Sequence, residues 1–467
     1  MNSFAAQLRD DAMAIWQAGV SAVDSHQLVR NVIQVEGGKE SEQLMIAGRP
    51  VPLTSASRLV VVGAGKAGAG MAAGLEEALG EGLMQKIDLQ GWVNVPANCV
   101  IPLTRIKLHP ARPAGINEPS EEGVEGSVRI LEMVRSLGAE DICICLLSGG
   151  GSALLPAPAE GISLQQKRLV TRFLSEAGAN IQQLNTVRKQ LSLTKGGGLA
   201  RACGAGTLIT LVISDVLGDP LDIIASGPTV ENHSTPTDAL AVLEEFDRDG
   251  GSVPAEIISF LQGASPSRAA AMSTGAQVFH HVIGNNQVAV KAAGQEAARR
   301  GYVVELEANQ QLEGNAEEVG TRLSGWLRDL PPGQQGHCLV SGGEPVVQLV
   351  DSDRRGRGGR NQQLVLAALV DQLMGKNRLE NALILSAGTD GEDGPTDAAG
   401  AWIDQQLVEA VLTQDLDAED FLARNDAYTF FDALGCLLRT GPTQTNVCDL
   451  RIVLGGAPGS PRPEGAS

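Results

Sequence analysis

Residues 208–229 read LITLVISDVLGDPLDIIASGPT, and this stretch decides the fold. Five of its first six residues, Leu208 to Ile213, are aliphatic. A run that short, bounded by Gly206 and by the polar pair Ser214-Asp215, reads as a strand buried on both faces. The next sixteen residues hold three carboxylates (Asp215, Asp219, Asp222), three hydroxyls (Ser214, Ser226, Thr229) and two proline breaks. Open α/β sheets place their ligands outside the carboxyl ends of such strands. Asp-rich loops also serve as plain caps and turns, so the rest of the chain has to separate the two readings.

Upstream, RLVVV at 58–62 opens into the glycine turn GAGKAG at 63–68 and an Ala-rich helix from about 68 to 79. Strand, glycine turn and helix in that order present helix-start amides to an anion. The spacing also fits G-x-G-x-x-G, which raises a dinucleotide site, although a lone match is weak. Asp88, the nearest candidate for the acidic residue such a site needs, precedes the next strand (91–95) instead of following it. A Walker loop is excluded because Ala67 stands where Ser or Thr is required. The strand 141–147 then runs into Ser148-Gly149-Gly150-Gly151-Ser152, a composition suited to a nest for phosphate or carboxylate oxygens.

Helices are expected over much of the first fifty residues and at 118–137, 164–174 and 181–193. The segment 247–273 is weakly patterned and makes the best domain boundary. Beyond it strands at 278–283, 302–306, 338–340, 346–350, 383–385 and 450–454 alternate with helices, and the basic segment RRGRGGRN at 354–361 opens one of them. Five strands thus end in small, hydroxyl-bearing or charged loops, near Lys66, Ser148, Asp215, Ser341 and Asp390. The expected fold is two α/β domains. Residues 1–268 form a Rossmann-like, mostly parallel sheet; 269–456 form a second, smaller α/β domain; 457–467 are a disordered tail.

The 467 residues include 43% hydrophobic, 3% aromatic and 56 glycines, the balance of a soluble globular protein. A net charge of −19 argues against nucleic acid or an anionic membrane as partner, and leaves room for a small anionic substrate in a local basic pocket. With no leader and no long apolar run, the chain is expected to be cytoplasmic, as a monomer or homodimer. Seven scattered cysteines without C-x-x-C spacing read as reduced thiols. Of six histidines, His26, His233, His280 and His337 lack a catalytic partner by spacing, His281 reads as a satisfied core residue, and His109 receives no role. No G-x-S-x-G or H-E-x-x-H appears. Glycine loops, hydroxyls, lone aspartates and Lys or Arg in turns are the kit of phosphoryl transfer.

GAGKAGAG, LLSGGGSALLPAP, NTVRKQLSLTKGGGLA, LVISDVLGDPLDIIASGPT, GGEPVV, GRGGRNQQ, SAGTDGEDGPTDAAGA and TGPTQTN occur in that order between about 58 and 446. Together they resemble the class II glycerate 2-kinases, whose C-terminal half is the MOFRL module. The resemblance implies transfer of the γ-phosphate of ATP, with Mg²⁺, to the 2-hydroxyl of D-glycerate, at a site in the interdomain cleft. It implies that Lys66 stabilises the transferring phosphate, Asp215 orients or deprotonates the hydroxyl, and Arg360 binds the carboxylate or that phosphate. Gly63, Gly65, Ser148, Gly149, Gly150, Gly151, Ser152 and Lys195 would hold the nucleotide phosphates, Asn361 and Ser214 the substrate, and Asp390 and Asp219 the metal. Two rivals stand beside it. One is an NAD(P)H-dependent hydroxypyruvate reductase, a label family members have carried; the other is a non-catalytic nucleotide or metabolite sensor.

Overall fold

The computed structural model describes residues 3–459 apart from 39–40, 54–57, 117, 249, 265–274, 309–312, 331–335, 376–378 and 415. The chain divides into two compact units, Ser25–Gly284 and a second made of Met1–Asp24 with Asn285–Ser467.

The first unit opens with an antiparallel meander of β1 (Ile33–Gly38), β2 (Ser41–Ile46) and β3 (Arg49–Pro52). Six further strands build its main sheet: β4 (Leu59–Ala64), β5 (Gln90–Pro96), β6 (Ile106–Arg112), β7 (Ile142–Leu147), β8 (Thr207–Ile213) and β9 (Gln277–Gly284). Every pairing between them is parallel, in the order β6-β5-β4-β7-β8-β9. Counted within the sheet this is 3-2-1-4-5-6, the doubly wound order whose direction reverses between β4 and β7. β4 and β7 are buried along their whole length, as continuous aliphatic runs require of central parallel strands. Helices Gly68–Lys86 and Glu121–Arg135 lie on the sheet. Leu164–Glu176, Ile181–Gln190 and Pro236–Phe246 share a separate apolar core, and each begins in a reciprocal capping box, by Ser163 with Gln166, Asn180 with Gln183, and Thr235 with Asp238.

The glycines of the 63–68 turn are there for close approach. A Cβ on Gly63 would lie 2.2 Å from Leu146 O, and one on Gly68 2.9 Å from Val93 Cγ1. Gly65 has φ +155° and would put a Cβ 2.0 Å from Ser148 Oγ. The loop after β4 therefore rests directly on the loop after β7.

In the second unit, β10 (Val303–Ala308), β11 (His337–Gly343), β12 (Ala382–Gly388), β13 (Gly400–Asp404), β14 (Leu437–Leu438) and β15 (Asp449–Gly455) form a mixed sheet in the order β10-β11-β15-β12-β13-β14. Only β10 and β11 pair in parallel. Helix Ser3–Ala22 buries the stripe Leu8, Ala12, Ile15, Trp16 and Val20 in one core with Val340, Leu383, Leu385, Ile452 and Leu454. Ile384, Ile403 and Val453 belong to another, beneath helix Arg360–Met374.

The division expected at 268/269 lies at 284/285, because β9 completes the parallel sheet against β8, and residues 1–24 join the second unit through that helical stripe. The meander stands where only helix was expected beyond Leu28; its strands are too short and polar to betray themselves. Residues 346–350 form no strand. Val346 makes an isolated bridge to Asn315, and Val346 and Leu349 remain exposed. The first residues of the expected disordered tail are tied down, Ala457 O accepting from Gly336 N and Gly459 N donating to Gly301 O. Residues 460–467 lie outside the described residues. No helix among the described residues is long and apolar enough to cross a membrane.

Gly65→Ala is expected to lower the melting temperature, since strain and overpacking together cost on the order of 2–3 kcal/mol. Gly82→Ala, in a helix with nothing within 4 Å of the new methyl, should raise it through helix propensity. Equal melting temperatures for the two variants would show that the two loops can part freely.

Candidate functional site

At the carboxyl edge of the parallel sheet, the reversal between β4 and β7 is where doubly wound folds bind ligands, and here it brings two outgoing loops together. Both of those loops are among the ones the sequence singles out. Lys66 N donates to Gly149 O at 2.8 Å, Ala67 N to Ser148 Oγ at 3.0 Å, and Ser148 N to Ala64 O at 3.3 Å. Gly150 takes φ +77°, and a Cβ there would lie 3.4 Å from Arg112 Nη2 and 3.5 Å from Lys66 Cγ. Arg112, the buried last residue of β6, thus flanks the glycine loop together with Lys66.

Two residues further on, Ser152 gathers more cations. Its Oγ accepts from Arg188 Nη2 at 2.8 Å and Lys195 Nζ at 2.7 Å, and Lys195 Nζ also donates to Ser152 O at 2.8 Å. Ser226 Oγ lies 3.1 Å from Ser152 Oγ and donates to Asn185 Oδ1 at 3.0 Å. Ala225, Ser226 and Gly227 take φ of 52°, 62° and 61° in succession. Left-handed backbone costs about 1–2 kcal/mol at each non-glycine residue, and this run holds the Ser226 hydroxyl against Ser152. Burial pushes the Lys195 ammonium well below the ordinary lysine range, and the charges of Arg188 and Lys167 push it further.

Several expected ligand groups are already engaged within the fold. The Ser148 hydroxyl is buried and joins the two loops. Ser214 Oγ is spent in a local turn, donating to Val216 O at 3.1 Å and accepting from Val216 N at 3.3 Å. Part of the expected nest is closed, because Gly151 N bonds Ser148 O and residues 151–154 form one helical turn. Asp215 follows β8 and is half-buried, and Asp219 sits at φ 54° in the turn that continues from it. His109 is structural, its Nε2 2.8 Å from Glu122 O and its ring against Trp92. His281, expected to be satisfied, is half-buried with Nε2 lacking a hydrogen-bond partner.

The second unit holds Arg360, Asn361 and Asp390. Arg360 is the first residue of its helix, and its fork is clamped by a fully buried acid, Nε to Asp449 Oδ2 at 2.7 Å and Nη2 to Asp449 Oδ1 at 3.0 Å. Glu344 Oε1 lies 3.1 Å from Nη1. Burial works against the guanidinium, but Asp449, Glu344 and Asp393 raise its pKa. Asn361 is occupied inside the unit: Nδ2 donates to Asp449 Oδ1 at 2.9 Å and to Asp393 Oδ1 at 3.2 Å, and Oδ1 accepts from Ser386 Oγ at 2.5 Å. Asp393 also caps the helix start, accepting from Asn361 N at 3.0 Å and Gln362 N at 2.9 Å. Burial still pushes its carboxyl up to about 7. Asp390 is half-buried at the end of β12, its Oδ1 accepting from Glu392 N at 3.1 Å.

Among the described residues no three His, Cys, Asp or Glu side chains are grouped to hold a metal by themselves. A Mg²⁺ bound by one or two carboxylates with the remaining sites left to water and phosphate fits such isolated acids. Sequence reasoning gave no role to Arg112, Lys167, Arg188 and Asp449, and named Asp393 only beside Asp390 as a group for the metal or the ribose. The first four stand in no loop that announces itself, and the partners of Asp449 are 88 and 89 residues away.

Residues 11–262 match the family model described as a domain of unknown function, DUF4147, and residues 337–449 match the MOFRL family. A glycerate kinase of Danio rerio is 35% identical, covering 96% of this chain and 97% of its own. A D-glycerate 2-kinase of Thermotoga maritima is 35% identical over 90% of this chain and 97% of its own. A crystal structure of glycerate kinase from Thermotoga maritima superposes with a TM-score of 0.78 at 32% identity, covering 96% of this chain and all of that one.

The Asp393 carboxyl gives a pH signature. Its folded pKa of about 7 lies above the ordinary aspartate value, so the native state keeps a proton that the unfolded chain releases. The stability this contributes is full below about pH 4 and is lost as the pH rises through about 7. Asp393→Asn has no such term, so its denaturation midpoint should gain on the wild type between pH 5 and pH 8. A midpoint difference that stays constant over that range would mean that the amide bonds keep Asp393 ionised throughout.

Proposed function

The chain belongs to the DUF4147–MOFRL family of glycerate kinases, and from that membership we infer that it is a glycerate 2-kinase, forming 2-phosphoglycerate from D-glycerate with ATP as donor. The single structural observation that supports this best is the gathering of Lys66, Arg112, Arg188 and Lys195 about the glycine loop at the switch point of the sheet. In a chain of net charge −19 such a local excess of cations suits a polyanion.

In this reading the 2-hydroxyl oxygen of glycerate attacks the γ-phosphorus of ATP, the bond from that phosphorus to the β,γ-bridging oxygen breaks and ADP leaves, and Asp215 takes up the hydroxyl proton. Lys66 stabilises the charge on the transferring phosphoryl group. The bonds from Lys66 N to Gly149 O and from Ala67 N to Ser148 Oγ fix the backbone that carries that lysine. Arg360, its fork oriented by Asp449 and Glu344, binds the glycerate carboxylate or the phosphoryl oxygens. Mg²⁺ arriving with the nucleotide would be held by Asp390 or Asp219 and would neutralise phosphate charge.

The reductase reading loses its main support at Gly65. The middle glycine of a dinucleotide turn leaves room for pyrophosphate, whereas here Ser148 of the same chain fills that approach. A sensor would have no use for Asp215 as a base, so the activity of Asp215→Asn separates it from the kinase.

A paired assay separates the three. D-glycerate with ATP and Mg²⁺ should yield 2-phosphoglycerate and no 3-phosphoglycerate, and hydroxypyruvate with NADH or NADPH should leave the nicotinamide unchanged. Nicotinamide oxidation without ATP turnover would establish the reductase, and silence in both arms would favour a different acceptor or a sensor. Lys66→Ala is expected to lower kcat at least a hundred-fold with little change in KM, and an unchanged kcat would remove Lys66 from the chemistry. Asp215→Asn should nearly abolish turnover while ATP binding stays measurable by calorimetry.

A further inference from the structure

The motif GGEP at 342–345 closes β11 and holds its acid in one place. A Cβ on Gly342 would lie 1.8 Å from Asn286 Oδ1, and one on Gly343 1.8 Å from Glu313 Oε2. Both glycines are thus pressed against side chains that leave no room for a larger residue. Pro345, which is buried, confines Glu344 to extended backbone. Glu344 therefore leaves the sheet on a fixed stem, and its Oε1 meets Arg360 Nη1 at 3.1 Å.

That end of the guanidinium is the one a ligand can reach. Asp449 fills the opposite edge, taking Nε and Nη2, and its side chain is wholly buried. The Arg360 side chain still keeps 33% of its surface open, and that of Glu344 keeps 42%. An incoming anion is offered only the Nη1 end, and Glu344 already stands there. One positive charge between two carboxylates leaves the neighbourhood net negative before any ligand arrives. Arg451 does not correct this, because Glu313 holds both of its terminal nitrogens, at 2.7 and 2.5 Å. Asp393, tied to Asp449 through the Asn361 amide, is a third acid.

A half-exposed ion pair adds little to stability. Asp449 already takes two of the three guanidinium nitrogens, so the further effect of Glu344 is on charge. An anion approaching Nη1 is repelled by Glu344 in proportion to its own charge. A carboxylate feels that repulsion once, and a dianionic phosphoryl group feels it twice.

We propose that Glu344 is a specificity-determining residue, which reserves Arg360 for the single charge of a hydroxy-acid carboxylate and turns away doubly charged groups. The identity of that acid as glycerate rests on the glycerate kinase reading. The phosphates are then left to Lys66, Arg188 and Lys195.

The test is calorimetric titration of the full-length protein for wild type, Glu344→Gln and Glu344→Asp. D-glycerate is the singly charged probe. Sulfate is the doubly charged one, its constant read from its displacement of D-glycerate so that sulfate bound elsewhere is not counted. Removing a unit charge about 5 Å away in water should tighten D-glycerate about four-fold in Glu344→Gln. Sulfate should tighten by the square of that factor, about sixteen-fold. Glu344→Asp, which keeps the charge, should keep the wild-type preference. Equal gains for the two anions, no gain for either, or weaker D-glycerate binding by Glu344→Gln would overturn the proposal. Failure of all three proteins to bind D-glycerate would overturn it together with the kinase reading. The squared gain in a protein that forms no 2-phosphoglycerate would remove the kinase reading and leave the role of Glu344. Formation of 2-phosphoglycerate without that gain would remove the role and leave the kinase.

Discussion

The contact of Gly65 with Ser148 is the constraint on which the candidate site depends. With no side chain at 65, the loop leaving β4 comes down onto the loop leaving β7, and the Ser148 hydroxyl accepts the amide of Ala67 just before the helix begins. Lys66 is held between these two anchors, its own amide bonded to Gly149. A lysine in a solvated glycine turn would sweep a wide volume. Here three hydrogen bonds between the loops fix the backbone beneath it. The same contact explains why a turn with dinucleotide spacing need not bind a dinucleotide. The glycines serve chain-to-chain packing, and the space is taken.

The two units treat buried charge in opposite ways. In the mixed-sheet unit the half-buried Arg360 and the buried Arg451 each have an acid waiting for them. Arg360 is forked on Asp449, and Arg451, fully buried, is bonded through both terminal nitrogens to Glu313. Such pairs offset their own desolvation and hold direction well. In the parallel-sheet unit the cations around Ser152 have only neutral acceptors. Paired charge makes a rigid support; at Ser152 the cations are held by a hydroxyl and a carbonyl instead. The difference is one of partnership, not composition, since both units draw on the same residue types.

Much of the scaffold was legible because fully buried parallel strands leave aliphatic runs that nothing else explains. The runs 58–62, 141–147 and 208–213 lie within or beside three adjacent strands, β4, β7 and β8, and the loops after them carry Lys66, Ser148–Ser152 and Asp215. The short antiparallel strands were not legible. β1–β3 and β13 owe their existence to neighbours across the sheet, and 346–350 has strand-like composition with no sheet edge beside it. Within the site, Lys195 and Ser152, expected to serve the same phosphates, are bonded to one another. The hydroxyls of Ser148 and Ser214 and the amide of Asn361 turned out to be spent inside the fold. A residue list shows which groups can bond; it does not show which are already bonded.

The sequence by itself determined the alternation of strands and helices, the glycine-rich loops at the strand ends, and the family to which they belong, because periodicity and local backbone demands are written within a few residues of each other. The tertiary structure alone decided the 3-2-1-4-5-6 order that sets the β4 and β7 loops side by side. It alone decided that Asp449 clamps Arg360 and that Arg188 and Lys195 meet at Ser152. Burial and charge partnership are properties of distances in space. Residues far apart along the chain acquire them only when the sheet and its helices close.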